Sequence, residues 1–356
     1  MNEEPMAAIH VIELRGDSRQ RGEQHGNLLR GPIERAVEFY FPFFARHLGI
    51  DRKEVRRRAA TFIEPTSRLS AALMAEYEGI AAGSGQHLED IFALSARYEI
   101  TFEEFSLGEC SNVYVGPGSS ATGHTLLGQN WDWRPEVMDF RAVFVARSDD
   151  GPDHVMITEC GQPGKYGLNQ FGLGVVAAGL NCTEKASLGE QLFVALGRAA
   201  LEHEKLAGAR DTLARFATRS TVNVLVGAAG GAGVDFEYTP RSVGRRDLAA
   251  DEVYWHTNHC REVDEPCTFE NSRLRGQRWD VLSRAPRPID RAAVQAWLAD
   301  RRSGDNSICQ LCDPQQADTP TRVQTLSSVV LDLGARTMWA SDGPSCASSY
   351  QPFALA

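Results

Sequence analysis

The feature that most constrains how this chain can fold is the order of its helical and extended segments. Apolar residues recur every three or four positions from Ser18 to about Gly85, and again from Leu88 to Thr101, and this spacing predicts helices. After residue 107 the pattern changes to short extended runs that are bounded by Gly, Pro and Ser and interrupted by helical segments. This order favours antiparallel sheets covered by helices over a doubly wound parallel sheet. The sequence therefore predicts an α+β fold with a helical N-terminal segment.

A first strand is predicted over His10 to Leu14, before the helices. Cys110 to Trp133 predicts two strands joined by a loop at Gly116 to Gly123. Further strands are predicted at residues 141–148, 154–160, 171–181, 221–229, 234–240, 252–260, 325–335 and 337–343, and helices at 189–203, 205–218, 272–285 and 290–300. A dinucleotide-binding unit is not expected, because Gly172-Leu173-Gly174 lacks the third glycine and continues in residues typical of strands.

The composition narrows the classes of partner and compartment. The chain has 37 Lys and Arg against 47 Asp and Glu, a net charge of −10, which argues against nucleic acid or an anionic membrane surface as a partner. With 42% hydrophobic residues it can bury a sizeable core, yet no apolar run is long enough to span a bilayer. The acidic N-terminus does not resemble a signal peptide, and the eight cysteines are widely spread. We therefore expect a cytoplasmic protein without a disulfide framework.

The most informative chemistry lies at Cys110, where the helical part ends and the first strand of a hairpin begins. Taken alone, Cys110 is well explained as a small buried residue at the start of a strand. A hairpin brings its two ends together, however, so Asp132 at the end of the second strand is expected near Cys110. Asn258 follows an aromatic strand much later in the chain. These three residues offer a nucleophile, a carboxylate that orients an amine and a donor to an oxyanion, but no evident base.

Cleavage of the peptide bond before Cys110 would create the missing base. The new α-amino group has a reference pKa of about 7.7–8.0, so a useful fraction is neutral at physiological pH. It lies on the nucleophile's own residue, where it can take the thiol proton directly or through water. The same thiol can make the cut by an N-to-S acyl shift followed by hydrolysis of the thioester.

A series of motifs in a fixed order extends over nearly the whole chain. They are Arg21-Gly-Glu-Gln-His25-Gly26, Glu78-Gly-Ile-Ala-Ala-Gly83, Cys110, Gly128-Gln-Asn-Trp-Asp-Trp133, Gly164-Lys-Tyr-Gly-Leu-Asn169 with Gly172, His256-Thr-Asn-His-Cys260, Ser272-Arg-Leu-Arg275-Gly-Gln-Arg278 and Asn306-Ser-Ile-Cys309. In these motifs the chain resembles the isopenicillin-N acyltransferase (acyl-coenzyme A:6-aminopenicillanic acid acyltransferase) family of self-processing N-terminal-nucleophile (Ntn) hydrolases. The resemblance rests on the order of the motifs and not on any one of them.

The resemblance implies a four-layer αββα sandwich that cleaves itself before Cys110 into residues 1–109 and 110–356, which stay associated as one structural unit. It implies that Cys110 attacks an amide or a thioester and that the acyl group passes to an amine or to water. Asp132 would hold the new α-amine, and Asn258 would donate to the oxyanion. The partners would be a small amide or an acyl thioester, such as an acyl-coenzyme A, and an amine acceptor. No cofactor is implied, and a homo-oligomer is compatible with the sequence.

Two positions depart from the family pattern. Glu109 precedes the nucleophile where the type enzyme has glycine, and glutamate is less permissive at a strained peptide bond. This predicts slow self-cleavage or none, unless the carboxyl group helps to shuttle a proton. Gln310 stands where the type enzyme has an arginine associated with the active site, and Arg275 is the cation that would compensate for its loss. Trp133, Arg275 and Gln310 are therefore the candidates for binding substrate.

Other residues have simpler interpretations. The residues with zinc-binding side chains near these motifs are His256, His259, Cys260, Cys309 and Cys312. Their spacing is not that of a typical zinc site, so no metal is expected. His25 lies in a helix near Gly22 and Gly26, where close helix packing is favoured over catalysis. Of Trp131 and Trp133, one is expected in the core and the other at an acyl pocket.

Two alternatives to an Ntn enzyme stay open. One is an uncleaved Cys-His-Asp thiol hydrolase with His256 or His259 as the base, which an active protein with an intact bond before Cys110 would favour. The other is a non-enzymatic binding or scaffold protein that keeps the fold and never matures.

Overall fold

The computed structural model describes residues 8–102, 110–313, 319 and 322–355. The N-terminal part of the chain has one strand followed by helices, as predicted. The bounds are β1 His10–Gly16, α1 Ser18–Leu28, α2 Arg30–Leu48, α3 Arg52–Ala60, α4 Ile63–Leu69, α5 Ala71–Ser84, α6 Leu88–Ser95 and α7 Arg97–Phe102. The start of α1 is fixed by a capping box, in which Asp17 accepts from the Gln20 N–H and the Gln20 side chain reaches back to Asp17.

Helices α1 and α5 pack closely because glycines face each other across them. A Cβ atom added at Gly22 would lie 2.2 Å from the carbonyl oxygen of Glu76, and one added at Gly83 would lie 2.3 Å from that of Glu23. His25, on the same helix, is fully buried, and its Nε2 accepts a hydrogen bond from the Gly161 N–H at 3.1 Å. Burial lowers the pKa of His25 to about 4, so the ring is neutral. The packing interpretation of His25 is confirmed.

The rest of the chain contains the strands of two sheets with helices between them. The strands are β2 Ser111–Val115, β3 Leu126–Trp133, β4 Arg141–Ser148, β5 His154–Glu159, β6 Tyr166–Asn169, β7 Leu173–Gly179, β8 Val222–Ala228, β9 Gly233–Tyr238, β10 Val243–Leu248, β11 Val253–His256, β12 Gln324–Asp332, β13 Thr337–Ser341 and β14 Tyr350–Ala354. The helices are α8 Phe193–Ala200, α9 Leu206–Arg215, α10 Glu270–Leu282 and α11 Arg291–Leu298. Every predicted strand and helix is present, and β6, β10 and β14 were not predicted.

The strands form one sheet of eight and one of six. The order in the larger sheet is β1-β4-β5-β6-β7-β8-β9-β10, and that in the smaller is β11-β2-β3-β12-β13-β14. Strand β1 runs parallel to β4, whereas the other neighbouring pairs in both sheets are antiparallel. Because β1 belongs to the helical N-terminal part, that part and the remainder of the chain share one sheet.

The two sheets pack face to face, and helices cover their outer faces. On β2, Tyr114 lies in the core between the sheets, whereas its neighbours Val113 and Val115 point to the other face, against α10 and α11. Across the interface, a Cβ atom at Gly174 of β7 would lie 3.2 Å from Leu127 of β3. Helix α8 packs on the outer side of β7, and α9 on that of β8. The αββα sandwich is therefore confirmed.

None of the helices within the described ranges combines the length and the apolar character that crossing a bilayer requires.

Candidate active site

Cys110 lies directly before β2, at the edge of a small cavity between the two sheets. It is 6% exposed, and its Sγ atom lies 4.0 Å from the backbone carbonyl oxygen of Asp132 on β3. Strands β2 and β3 pair with Ser111 opposite Asn130, so the residues at this end of the hairpin meet. The expectation that the hairpin brings Asp132 to Cys110 is confirmed. Glu109, the other residue of the expected cleavage site, lies outside the described residues.

Asp132 is held in place by the neighbouring strand. Its Oδ1 atom accepts a hydrogen bond of 2.5 Å from the hydroxyl of Thr325, which lies opposite Asp132 in the β3–β12 pair. The same hydroxyl accepts a 2.8 Å hydrogen bond from the backbone N–H of Gln310. The Gln310 side chain donates to the carbonyl oxygen of Ser307, so this residue reaches Asp132 only through its main chain and Thr325. Sequence reasoning did not identify Thr325, because only the pairing of β3 with β12 brings it to the site.

Arg275, on α10, connects Cys110 to Asn258. This fully buried guanidinium donates to the carbonyl oxygen of Cys110 at 2.8 Å and to the Oδ1 atom of Asn258 at 2.6 Å. It also donates to Ser111 Oγ at 3.1 Å and to Asn271 Oδ1 at 2.6 Å. A planar guanidinium has several donors in fixed directions, so it can bond to these four acceptors at once better than a lysine ammonium can. All four of these hydrogen bonds of the Arg275 guanidinium are therefore made to groups of the protein itself.

Asn258 follows β11 and is buried between the two sheets. Its backbone N–H donates to Ser272 Oγ at 2.8 Å, and its carbonyl oxygen accepts from the Asn181 N–H at 2.8 Å. Its Nδ2 atom donates to the carbonyl oxygen of Gly179 at 2.7 Å, and Gly179 lines the cavity that contains Cys110. A side chain at Gly179 is excluded, because its Cβ atom would lie 2.0 Å from the hydroxyl oxygen of Tyr98. The amide of Asn258 is thus hydrogen-bonded to a residue of the cavity wall.

The cavity beside Cys110 is small and mainly aromatic. Its volume is about 20 Å³, which is enough for about one water molecule. The aromatic residues of its wall are Tyr98, Trp131, Trp133, Tyr166 and Phe193. Trp131 and Trp133 both belong to the buried core and both line the cavity, so the two roles are not divided between them as we expected. Trp133 is fixed by a 3.0 Å hydrogen bond from its Nε1 atom to the hydroxyl of Tyr40.

Two basic side chains, Arg97 and Lys165, also line the cavity. Arg97 forms a buried ion pair with Glu159 of β5, and both residues are 1% exposed. Lys165, which precedes β6, is 4% exposed, and its Nζ atom lies 4.0 Å from the centroid of the Trp131 ring. Lys165 is the second residue of the site that sequence reasoning missed. A signal was available, because Lys165 lies in the motif Gly164-Lys-Tyr-Gly-Leu-Asn169.

Burial and neighbouring charges keep the Cys110 thiol protonated. Burial and the Asp132 carboxylate raise the pKa of Cys110, and Lys165 and Arg275 offset part of this effect. A thiol in this state is a weak nucleophile until a base removes its proton.

His256 and His259 make other contacts. The Nδ1 atom of His256 lies 2.6 Å from the carbonyl oxygen of Thr257, and its Nε2 atom lies 2.6 Å from Glu237 Oε1. The Nδ1 atom of His259 lies 3.0 Å from Thr257 Oγ1 and 2.9 Å from Ser272 Oγ. Neither histidine lines the cavity that contains Cys110. This geometry gives no support to either ring as the base of an uncleaved thiol hydrolase.

Among the described residues, one group of three metal-type ligands lies together, and it consists of Asp235, Glu237 and His256. Its ligand atoms are already used within the protein. Asp235 accepts from Tyr254 at 3.0 Å, and Glu237 accepts from the backbone N–H groups of residues 261 to 263. We interpret this group as a buried ion pair with its hydrogen bonds, not as a metal centre.

A larger cleft lies elsewhere on the molecule. It has a volume of about 580 Å³ and is lined by residues of α1 and of the ends of β1 and β4, among them Arg15, Gln24 and Arg147. It contains no cysteine and no group of catalytic type comparable to that around Cys110. We therefore assign the chemistry to the smaller cavity.

Comparison with known proteins identifies the family of this chain. The family acyl-coenzyme A:6-aminopenicillanic acid acyl-transferase matches residues 119–344. The 40 kDa form of acyl-coenzyme A:6-aminopenicillanic-acid-acyltransferase from Emericella nidulans is 25% identical over 254 residues, which cover 71% of this chain and 69% of that protein.

Two solved structures resemble the chain only distantly. Penicillin V acylase from Agrobacterium tumefaciens is 12% identical with a TM-score of 0.42, over 69% of this chain and 86% of that one. The Caenorhabditis elegans ortholog of N-acylethanolamine-hydrolyzing acid amidase is 14% identical with a TM-score of 0.45, over 69% of this chain and 100% of that one. The assignment rests instead on the matched family, which covers more than half of the sequence. The chain belongs to the acyl-coenzyme A:6-aminopenicillanic acid acyltransferase family and is an enzyme of the acyltransferase class.

Proposed function

We propose that the protein cleaves itself between Glu109 and Cys110 and then transfers an acyl group through a thioester on Cys110. The substrate is an amide or an acyl thioester, such as an acyl-coenzyme A, and the acceptor is an amine or water. The observation that carries the proposal is the arrangement at the start of β2. Cys110 lies within reach of Asp132, and Arg275 bonds to both the Cys110 carbonyl and Asn258.

The role of each residue follows from its position. After the cut, the α-amine of Cys110 has a reference pKa of about 7.7–8.0 and serves as the general base for its own thiol. The Asp132 carboxylate, oriented by Thr325, accepts a hydrogen bond from that amine. Asn258 Nδ2 carries two hydrogens, one of which bonds to Gly179. We assign the second hydrogen to the oxyanion that forms when the thiolate attacks the carbonyl.

The character of the cavity favours a substrate whose transferred acyl group is aromatic or otherwise apolar. Its wall is aromatic, but its 20 Å³ is far below the several hundred Å³ of a typical ligand pocket. The proposed function therefore requires this site to open when the bond before Cys110 is cut.

Trp133 forms part of the acyl pocket in this scheme. Arg275 acts by positioning the nucleophile, and Gln310 acts through Thr325.

Transfer and hydrolysis share the acyl-enzyme, so the acceptor decides the outcome. An amine wins when it is bound beside the thioester and excludes water. The family name supports an amine acceptor, and we propose transfer as the main reaction with hydrolysis as its competitor. We further propose a cytoplasmic location, in keeping with cysteines that are spread widely along the chain.

An acyl-trapping experiment tests this function. The purified protein is mixed with benzoyl-coenzyme A, with or without hydroxylamine as the amine acceptor, then quenched in acid and digested. We expect a benzoyl group on the peptide that begins with Cys110, and benzohydroxamate as product when hydroxylamine is present. Cys110→Ala should give no benzoylated peptide and no more benzohydroxamate than benzoyl-coenzyme A and hydroxylamine form without enzyme, whereas Cys312→Ala should behave like the wild type. Product formation by Cys110→Ala at the wild-type rate would contradict the assignment.

A further inference from the structure

Lys165 is a buried lysine beside the proposed nucleophile, and the scheme above gives it no task. It lines the same cavity as Cys110, and that cavity has room for about one water molecule. Its Nζ atom lies 4.0 Å from the ring centroid of Trp131 and 4.9 Å from that of Tyr166. A lysine that is only 4% exposed is expensive to keep charged, although its contacts with the two aromatic rings offset part of that cost.

The groups around Lys165 favour its neutral form. Burial and the nearby Arg97 guanidinium lower the pKa of Lys165 well below its ordinary value, and the opposing effects of Glu159 and Cys110 are smaller. Glu159 is already paired with Arg97. A neutral amine has a lone pair and can accept a proton, whereas an ammonium cannot.

The uncut chain needs such a base. Before cleavage, the nitrogen of Cys110 is part of a peptide bond and has no basic lone pair. Burial nevertheless keeps the thiol protonated, so the first proton transfer requires a different acceptor. His256 and His259 do not line the cavity, whereas Lys165 does.

We propose that Lys165 Nζ is the base of the self-cleavage step and takes the Cys110 thiol proton directly or through one water molecule. This inference rests on the proposed function. The thiolate attacks the carbonyl carbon of residue 109 and forms a C–S bond. As the C–N bond breaks, the Lys165 ammonium returns the proton to the leaving nitrogen, which becomes the α-amine of Cys110. Water then hydrolyses the thioester, giving a carboxylic acid at residue 109 and restoring the thiol.

The direct test follows cleavage of the full chain made by cell-free translation, with Lys165→Met, Lys165→Arg and the control Lys53→Met. Lys53 is an exposed lysine on α3. General base catalysis typically contributes about 10²–10⁴-fold, so Lys165→Met should cleave at least about 10²-fold more slowly than the wild type. Lys165→Arg supplies a permanent cation that cannot accept a proton, so it should be as slow as Lys165→Met. Cleavage of Lys165→Arg at the wild-type rate would overturn the proposal, because it would show that charge suffices.

Amine rescue separates a missing base from a disturbed fold. Lys165→Ala leaves a space beside Cys110 that a small amine can enter. We expect methylamine to accelerate its cleavage at least tenfold, and tetramethylammonium, a cation without a proton-accepting nitrogen, to have no effect. The proposal would be overturned if neither methylamine nor tetramethylammonium accelerated cleavage of this slow variant, or if both accelerated it equally. If Lys165→Met cleaves like the wild type, only the inference about Lys165 fails, whereas a wild-type chain that never cleaves overturns the proposed function and this inference together.

Discussion

At the scale of single residues, the site consists of a few side chains that hold one another in place. Cys110 is fixed through its main chain by Arg275, which is fixed in turn by Asn271 on the same helix. Asp132 is fixed by Thr325 from the next strand. Catalytic groups held by such contacts need little reorganisation in the transition state, which is the main source of electrostatic catalysis.

Asn258→Ala should lower kcat by about 10²–10³-fold with little change in KM, because the oxyanion exists only in the transition state and the intermediate. The measurement is steady-state kinetics of acyl transfer by the processed enzyme. Asn27→Ala, at an exposed position of α1, is the matched control. A fall in kcat/KM caused entirely by a higher KM would show that Asn258 binds the ground state instead.

Arg275→Lys should slow self-cleavage by at least about tenfold, because one ammonium cannot replace the guanidinium contacts with Cys110, Asn258 and Asn271. The control is Arg278→Lys, one turn along α10, where the guanidinium pairs with Asp300 away from the cavity. The rate is read from the conversion of full chain to fragments. Equal rates for the two variants would contradict the positioning role of Arg275.

The sequence predicted part of the site for a clear physical reason. Cys110 and Asp132 belong to one hairpin, and the pairing within a hairpin is local. Thr325 and Lys165 reach the site only through the order of strands in a sheet and the packing of one sheet on the other. Neither is specified by nearby sequence. Asn258 was a candidate from its residue type and gained a role from the family resemblance, but spacing alone could not show that Arg275 connects it to Cys110.

At the scale of elements, β6, β10 and β14 were not predicted, and each omission has a physical reason. β6 has four residues, too few to show alternation. β10 contains Arg245, Arg246 and Asp247, and β14 contains Pro352, and both lie at the edge of a sheet. Charged residues and proline are tolerated on edge strands because their outer side makes no ladder hydrogen bonds.

A buried ion pair connects the two sheets at the elements β9 and β11. His256 of β11 lies against Glu237 of β9, and both side chains are fully buried. Burial alone would lower the pKa of His256, but the hydrogen bond from its ring to Glu237 raises it above the ordinary value. Burial would raise the pKa of Glu237, but the same hydrogen bond lowers it.

The His256–Glu237 pair should therefore contribute most to the free energy of unfolding at intermediate pH and less at higher and lower pH. Because the pKa of His256 is raised by folding, its contribution is present below the unfolded value of 6.5 and is lost as the pH rises through the folded value. Because the pKa of Glu237 is lowered, its contribution is present above 4.5 and is lost as the pH falls through the folded value.

His256→Gln should lower the free energy of unfolding at pH 6 by about 3–5 kcal/mol and should flatten its decline at higher pH, because it leaves a buried carboxylate without its partner. Denaturant unfolding at several pH values measures this. His87→Gln, at an exposed position, is the control. A variant with the same pH dependence as the wild type would show that another group governs the slope.

At the scale of the whole molecule, the expected fragments 1–109 and 110–356 are interleaved. Strand β1 of the first fragment pairs with β4 of the second over seven residues, from His10 with Ala142 to Gly16 with Ser148. The helices of the first fragment also share one hydrophobic core with the strands of the second. Neither fragment retains a complete layer structure without the other.

The fragments should therefore stay together after cleavage. On size-exclusion chromatography they should co-elute in 1 M NaCl, because the contact is mainly apolar, and should separate only in guanidinium chloride. Uncleaved Cys110→Ala provides the reference elution volume. Separation of the fragments in salt alone would contradict a shared core.

The most direct test of the account is the intact mass of freshly purified protein beside Cys110→Ala. Cleavage before Cys110 leaves fragments of 109 and 247 residues, which by share of length weigh about 12 and 27 kDa of the total 39.1 kDa. We expect the wild type to show both fragments and Cys110→Ala to show the full chain. A wild type that remains at full mass while it turns over an amide or a thioester would contradict the account, because the α-amine of Cys110 would not exist.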